Sequence, residues 1–226
     1  MIGLLIGVLC LFFLAGCGSG GASAPAAPAE PCTVELNGDS IMDGPTLAER
    51  PAVGLARLRP DLSIDDKSIV GLTLDRLYRG YTAAWDGGPT PRLGPQPPFA
   101  EVARTARYIV IEFGGNDAYS NLPTDRFEQQ LRAIVAQIQA EGRVPVLTGV
   151  VQLAAAGAFD QATVDRAAVL NAITHRVAAE TGALDARWDT VEWRGAVETI
   201  DGIHRTQAAS DRLVERLAQT LTCGAA

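Results

Sequence analysis

Five positions in this 226-residue chain carry groups that together could cleave an acyl bond: Ser40, Gly71, Asn116, Asp201 and His204. Ser40 closes the stretch Asn37-Gly38-Asp39-Ser40, directly after the strand-like run Thr33-Val34-Glu35-Leu36. A serine hydroxyl is a poor nucleophile at neutral pH and needs a base within hydrogen-bond reach. The chain has 2 histidines. His175 lies in a helical run beside Arg176, on a face that looks exposed, and is expected to be a surface or boundary residue with no role. His204 follows Asp201 by three residues in Asp201-Gly202-Ile203-His204. A carboxylate at that spacing can hold the imidazole Nδ1–H and leave Nε2 free as a base. An oxyanion needs preorganised donors, and the Ser40 N–H, the Gly71 N–H and the Asn116 amide could supply them. Each position also has a plainer reading. Ser40 or Asp39 could cap a helix after an ordinary strand-to-helix turn. Gly71, Asn116 and Asp201 could be turn or cap residues.

The elements around these positions place them together. Strand patterns are read at 33–36, 62–65, 108–113, 144–151 and 183–185. Helical spacing is read at 51–58, 74–78, 123–140, from 160 or 163 to 181, and at 206–222. Tyr108 to Phe113 is apolar on both parities, which predicts a strand buried on both faces. Strands alternating with helices predict a three-layer α/β/α sandwich around a mostly parallel five-stranded sheet. Ligands in such folds bind beyond the carboxyl ends of the strands. Ser40 falls after the first strand, Gly71 after the second, Asn116 after the third, and Asp201 with His204 after the fifth. Residues 81–98 are rich in Gly and Pro and read as a long loop, either a rim or lid near the site or a solvated insertion.

Composition bounds the rest. Hydrophobic residues are 47% and charged residues 20% of the chain, as in a globular protein. A net charge of −7 disfavours a nucleic-acid partner. Residues 2–15 are almost wholly apolar and end in Leu14-Ala15-Gly16-Cys17, which resembles the lipobox of bacterial lipoproteins. No Lys or Arg precedes the run, unlike the usual signal. A plain secretory signal or an apolar anchor is the alternative, and all three readings export the domain. The expected organisation is a lipoprotein signal over 1–16, a lipidated Gly/Ala/Ser/Pro-rich tether over 17–31 beginning at Cys17, and a catalytic domain over 32–226. Cys32 and Cys223 flank the first strand and the last helix. Export permits a disulfide, and the ends of compact domains often lie close, so a Cys32–Cys223 bridge is expected.

Four blocks stand in order: Gly38-Asp39-Ser40, Gly71 in Ser-Ile-Val-Gly-Leu-Thr, Asn116 in Gly-Gly-Asn-Asp, and Asp201-Gly-Ile-His204. In this the chain resembles the SGNH hydrolases, the GDSL esterase/lipase superfamily. The last two blocks are similar to the bacterial thioesterase I/lysophospholipase/arylesterase branch. The resemblance implies Ser40 as nucleophile, His204 as base, Asp201 as its partner, and the Ser40 and Gly71 N–H groups with Asn116 as the oxyanion hole. Ile41-Met42 replaces the commoner leucine after the serine, and Arg205 stands where a proline often follows the histidine. Met42 also occupies the position of the second glycine in a Gly-x-Ser-x-Gly elbow, which argues against an α/β-hydrolase. One histidine in the loop is too few for a catalytic zinc site. The expected function is an exported serine esterase that needs no metal or organic cofactor. It would act as a monomer on short acyl esters, lysolipids or acylated glycans. Alternatives are a polysaccharide O-acetylesterase and a non-catalytic lipoprotein that binds acyl groups or glycans.

Overall fold

The computed structural model describes residues 32–81 and 95–223. The signal, Cys17, the tether and residues 82–94 lie outside them. Five strands, β1 (Cys32–Gly38), β2 (Leu62–Asp66), β3 (Tyr108–Glu112), β4 (Val144–Leu147) and β5 (Leu184–Asp185), form one sheet. All pairs are parallel and the order is β2-β1-β3-β4-β5. The chain therefore winds outward from β1 to β2 and then crosses back to β3. The strand order reverses between β1 and β3, and their carboxyl ends flank the crevice where open α/β sheets bind ligands.

The helices are α1 (Ser40–Asp43), α2 (Pro51–Leu58), α3 (Leu74–Arg79), α4 (Gly115–Tyr119), α5 (Thr124–Ala140), α6 (Gln161–Thr181) and α7 (Gln207–Thr220). Successive side chains of β3 point to opposite faces, and both faces are covered. Ile109 and Ile111 pack with Phe127, Leu131 and Ile134 of α5 and with Leu170 of α6. Tyr108 and Val110 pack with Leu55 of α2, Leu213 of α7 and Trp188. This is the expected three-layer sandwich, with a separate core on each side of the sheet.

Several boundaries differ from the sequence reading. β4 stops at Leu147 instead of continuing to Val151. Its neighbour β5 has only 2 residues and β3 ends at Glu112, so no ladder extends beyond Leu147. The freed residues Val150 and Val151 turn toward the carboxyl edge. In α6 the buried face is Thr163, Ala167, Leu170, Ile173 and Val177, and Ala168 is exposed. Asp160 sets this phase by capping the helix: its Oδ1 accepts Thr163 N–H at 2.8 Å and the Thr163 hydroxyl at 2.7 Å, which draws Thr163 inward. The Gly-Gly-Asn-Asp segment opens the one-turn helix α4, with Gly114 as its N-cap.

Cys32 and Cys223 form a disulfide, with Cα atoms 5.7 Å apart across a sequence separation of 191. It joins the start of β1 to the residues just after α7.

His175 is a boundary residue with a structural part that its sequence setting does not show. Its Nδ1 lies 2.7 Å from Asp185 Oδ2, at the end of β5. Its Nε2 lies 3.1 Å from Asp189 Oδ1, off the hydrogen-bond direction, so that contact is ionic. The hydrogen bond to Asp185 raises the imidazole pKa, against the opposing effect of burial. A raised folded value means stabilisation that is complete below the ordinary imidazole pKa of about 6.5 and lost as pH rises through the folded value. The denaturant midpoint of His175→Gln should therefore fall below that of the unsubstituted protein by more at about pH 6 than at about pH 9. A gap that widens toward high pH would contradict the ion-pair account.

Candidate active site

Ser40 is the first residue of α1, so its N–H has no acceptor within the helix. Asp39 is the N-cap, and its Oδ1 accepts the Ile41 N–H at 2.9 Å. Gly38 is required by crowding. A Cβ there would lie 2.5 Å from Met42 Cβ and 2.8 Å from Glu112 Oε2, both below contact distance. The glycine lets α1 fold back over the end of β1 and lets Glu112 approach the Asp39 backbone.

His204 reaches Ser40 across 164 residues of sequence: its Nε2 lies 2.9 Å from Ser40 Oγ. On the other side of the ring, Nδ1 lies 2.6 Å from Asp201 Oδ2. Asp201 uses its second oxygen to shape the loop, with Oδ1 accepting the N–H groups of Ile203 at 3.0 Å and His204 at 2.8 Å. Burial pushes the Asp201 carboxyl up, but the His204 backbone N–H, the His204 ring and the Ile203 N–H outweigh it and hold it below its usual value. The carboxylate therefore stays ionised and accepts the Nδ1–H, which keeps that proton on Nδ1 and leaves Nε2 as the acceptor for the serine hydroxyl.

Two features hold this loop in place. Gly202 has φ +89°, and a Cβ there would lie 2.8 Å from Gly157 N, so backbone packs on backbone. Arg205 is buried, with its guanidinium 4.4 Å from the Trp193 ring centroid, and it donates to the Gln152 carbonyl beyond β4. Burial lowers its pKa to about 10. Where a proline was the commoner residue, a buried cation ties the His204 loop to the exit of β4.

Asn116 sits in α4, at the carboxyl end of β3. Its Nδ2 donates to Asp39 Oδ2 at 2.9 Å and to the Leu72 carbonyl at 3.2 Å. An amide nitrogen has two hydrogens, so both are engaged within the protein. Gly71, with φ +73°, occupies the turn just before Leu72. The bond to Leu72 thus brings the Gly71 turn up to Asn116, but Gly71 is not among the residues lining the cleft beside Ser40.

That cleft is narrow, about 20 Å³. Its polar side holds Ser40, Asp39 and Asn116, and its apolar wall is Val150, Leu153, Phe159 and Ile203. A larger cavity of about 230 Å³ lies over Glu35 and Asn37 and is bounded by Leu72, Tyr81 and Gln96. The described ends of the 81–98 loop thus border this second cavity, and the rest of that loop lies outside the described residues.

The four sequence blocks run through a single family model. Residues 36–213 match that of the GDSL-like lipase/acylhydrolase family. The chain belongs to this family. No curated protein sequence matches the chain. Among solved structures it is similar to TesA at 25% identity, with a TM-score of 0.59, over 84% of this chain and 98% of that one. It is also similar to a putative lipolytic protein of the G-D-S-L family from Desulfitobacterium hafniense, at 18% identity and TM-score 0.61, over 84% and 99% of the two chains. A third is a catalytic mutant of Axe2, an acetylxylan esterase from Geobacillus stearothermophilus, at 15% identity and TM-score 0.61, over 84% and 94%. The last two likenesses show the fold. As a GDSL-like acylhydrolase, the protein is a carboxylic ester hydrolase.

Some residues of the GDSL site do not stand out in the sequence. The apolar wall comes from residues between β4 and α6 and from Ile203, which have no motif. Glu112 does leave a signal: an acidic residue at the end of a strand buried on both faces is rare without a partner. Asp39 caps the helix after the serine turn, and it also holds Asn116. Burial pushes its carboxyl up to about 6, against the Ile41 N–H and the nearby His204.

Proposed function

We propose that this GDSL-like hydrolase is an exported serine esterase that works through an acyl-enzyme. Ser40 is the nucleophile, His204 the general base and Asp201 the group that orients it. The observation that carries this reading is the unbroken chain from Asp201 Oδ2 through the imidazole to Ser40 Oγ, with links of 2.6 and 2.9 Å. Ser40 attacks the ester carbonyl as His204 Nε2 takes its proton, and the imidazolium returns that proton to the leaving alcohol. Water then attacks the acyl-enzyme by the same route. The Ser40 N–H and the Asn116 amide receive the oxyanion, and Asn116 exchanges its longer bond, to Leu72, for that contact; the Gly71 N–H is the third donor, which requires its turn to shift toward the cleft once Leu72 is released.

The narrow apolar cleft beside Ser40 favours a short acyl group, and with it O-acetylesterase action on an envelope or extracellular polysaccharide. Long acyl chains of lysolipids fit that space less well. Residues 1–16 act as a lipoprotein signal, Cys17 carries the lipid, and 17–31 tether the domain 32–226 to a membrane surface. More than one acyl chain is needed for stable anchoring. The Cys32–Cys223 bridge supports export, because disulfides persist in oxidising compartments.

A fluorophosphonate probe should label the protein, and Ser40→Ala should abolish labelling. Labelling that survives the substitution would overturn the assignment of the nucleophile. A panel running from acetylated glycans to long-chain esters reads the acyl preference. A protein that hydrolyses none of them yet retains a ligand would instead be a binding lipoprotein.

A further inference from the structure

The carboxyl groups of Asp39, Glu112 and Asp117 are buried around the serine turn, and none has a proton-transfer role in the hydrolysis above. Two of them lie side by side: Glu112 Oε2 accepts the Asp39 backbone N–H at 3.0 Å, and both side chains are buried. Two buried carboxylates this close repel, so one of the pair holds a proton.

The surroundings decide which one. Asp39 accepts N–H groups on both oxygens, from Ile41 and from Asn116, each at 2.9 Å. It also faces His204. Among the described residues Glu112 accepts one N–H, that of Asp39, and it faces the Asp39 and Asp117 carboxyls. Its position on β3 opposite Gly38 of β1 leaves it in the interior. The negative charge belongs on Asp39 and the proton on Glu112.

We propose that Glu112 serves as a neutral carboxylic acid that donates to the Asp39 carboxylate, and that Asp39, held in this way, aims the Asn116 amide. Glu112 is thus a positioning residue for ester hydrolysis, two hydrogen bonds removed from the oxyanion. This rests on Asn116 being an oxyanion donor. Burial, and then the Asp39 charge, push the Glu112 carboxyl well above its ordinary value, in keeping with the neutral form. Asp117 anchors the far side of the same turn. Its Oδ1 accepts Leu74 N–H at 2.9 Å, and burial raises its pKa to about 7.

The test compares Glu112→Gln with Glu112→Ala. A glutamine amide can donate to Asp39 while its carbonyl accepts the Asp39 N–H, so it reproduces both bonds of the protonated acid. Glu112→Gln should keep kcat within about threefold. Glu112→Ala should lower it by about 10–100-fold with KM nearly unchanged, short of the roughly 10²–10³ expected for losing an oxyanion donor outright. The infrared difference between the unsubstituted protein and Glu112→Gln should contain the carbonyl band of a protonated carboxylic acid, which separates Glu112 from Asp117. A glutamine variant as slow as the alanine one would overturn the proposal, as would a folded alanine variant of full activity or a missing band. Should Glu112→Ala fail to fold, the infrared band and the Glu112→Gln rate decide. Fluorophosphonate labelling tests the nucleophile separately, so a failed esterase reading is distinguishable from an ionised Glu112.

Discussion

His204→Ala should lower kcat by roughly 10⁵–10⁶ and Asp201→Asn by roughly 10⁴, with little change in KM or melting temperature. The first effect follows from removing the base that contacts Ser40 Oγ, at 2.9 Å. The second follows from the tautomer. An asparagine at position 201 could still accept the Ile203 and His204 N–H groups through its carbonyl, so the loop would keep its shape. Its amide would then face Nδ1 and donate to it. The ring would carry its proton on Nε2 and could not accept the serine's. Residual turnover in both variants would come from the oxyanion donors and from binding. Steady-state kinetics on a short-chain ester measures both effects, and an Asp201→Asn enzyme near full activity would remove Asp201 from the triad.

The second large effect is on stability. The Cys32–Cys223 bridge spans 191 residues of separation, nearly the whole described domain. In the chain-entropy picture a loop of that length restricts the unfolded state by up to about 5 kcal/mol. For a domain of this size each kcal/mol moves the melting temperature by about 2–4 °C. The Cys32→Ser/Cys223→Ser double variant should therefore melt about 10–20 °C lower under non-reducing conditions. Its kcat at 25 °C should change little, because the bridge sits at the amino end of β1 and Ser40 lies beyond the carboxyl end. Equal melting temperatures with and without the cysteines would contradict this account. Mass spectrometry showing both thiols alkylated without reduction would contradict the bridge itself.

Much of the site can be read without coordinates because its parts are local. The Asp201–His204 contact is an Asx-type turn closed within four residues, and the same carboxylate shapes the turn and binds the ring. The alternation of strands and helices is local too, and it sends the loops after β1, β3 and β5 to one edge. What depended on long-range register was harder. The true end of β4, and with it the placement of Val150 and Val151 in the cleft wall, depends on how far β3 and β5 run beside it. The phase of α6 hinged on one cap: Asp160 draws Thr163 inward, and Ala167, not Ala168, faces the core. His175 looked unoccupied in its helix because Asp185 and Asp189 reach it from a different part of the chain.

The sequence by itself determined the family, the parallel sandwich and the four blocks at its carboxyl edge, since spacing and residue type suffice where a motif is contiguous. Only the tertiary structure decided how those blocks touch. It joined Ser40 to His204, tied Asn116 to Asp39 and Leu72, narrowed the cleft with Phe159 and Ile203, and set Glu112 against Asp39. Contacts of this kind depend on the exact separation of strand ends and on burial that strips water from the carboxyls, and neither is written in any one stretch of the chain.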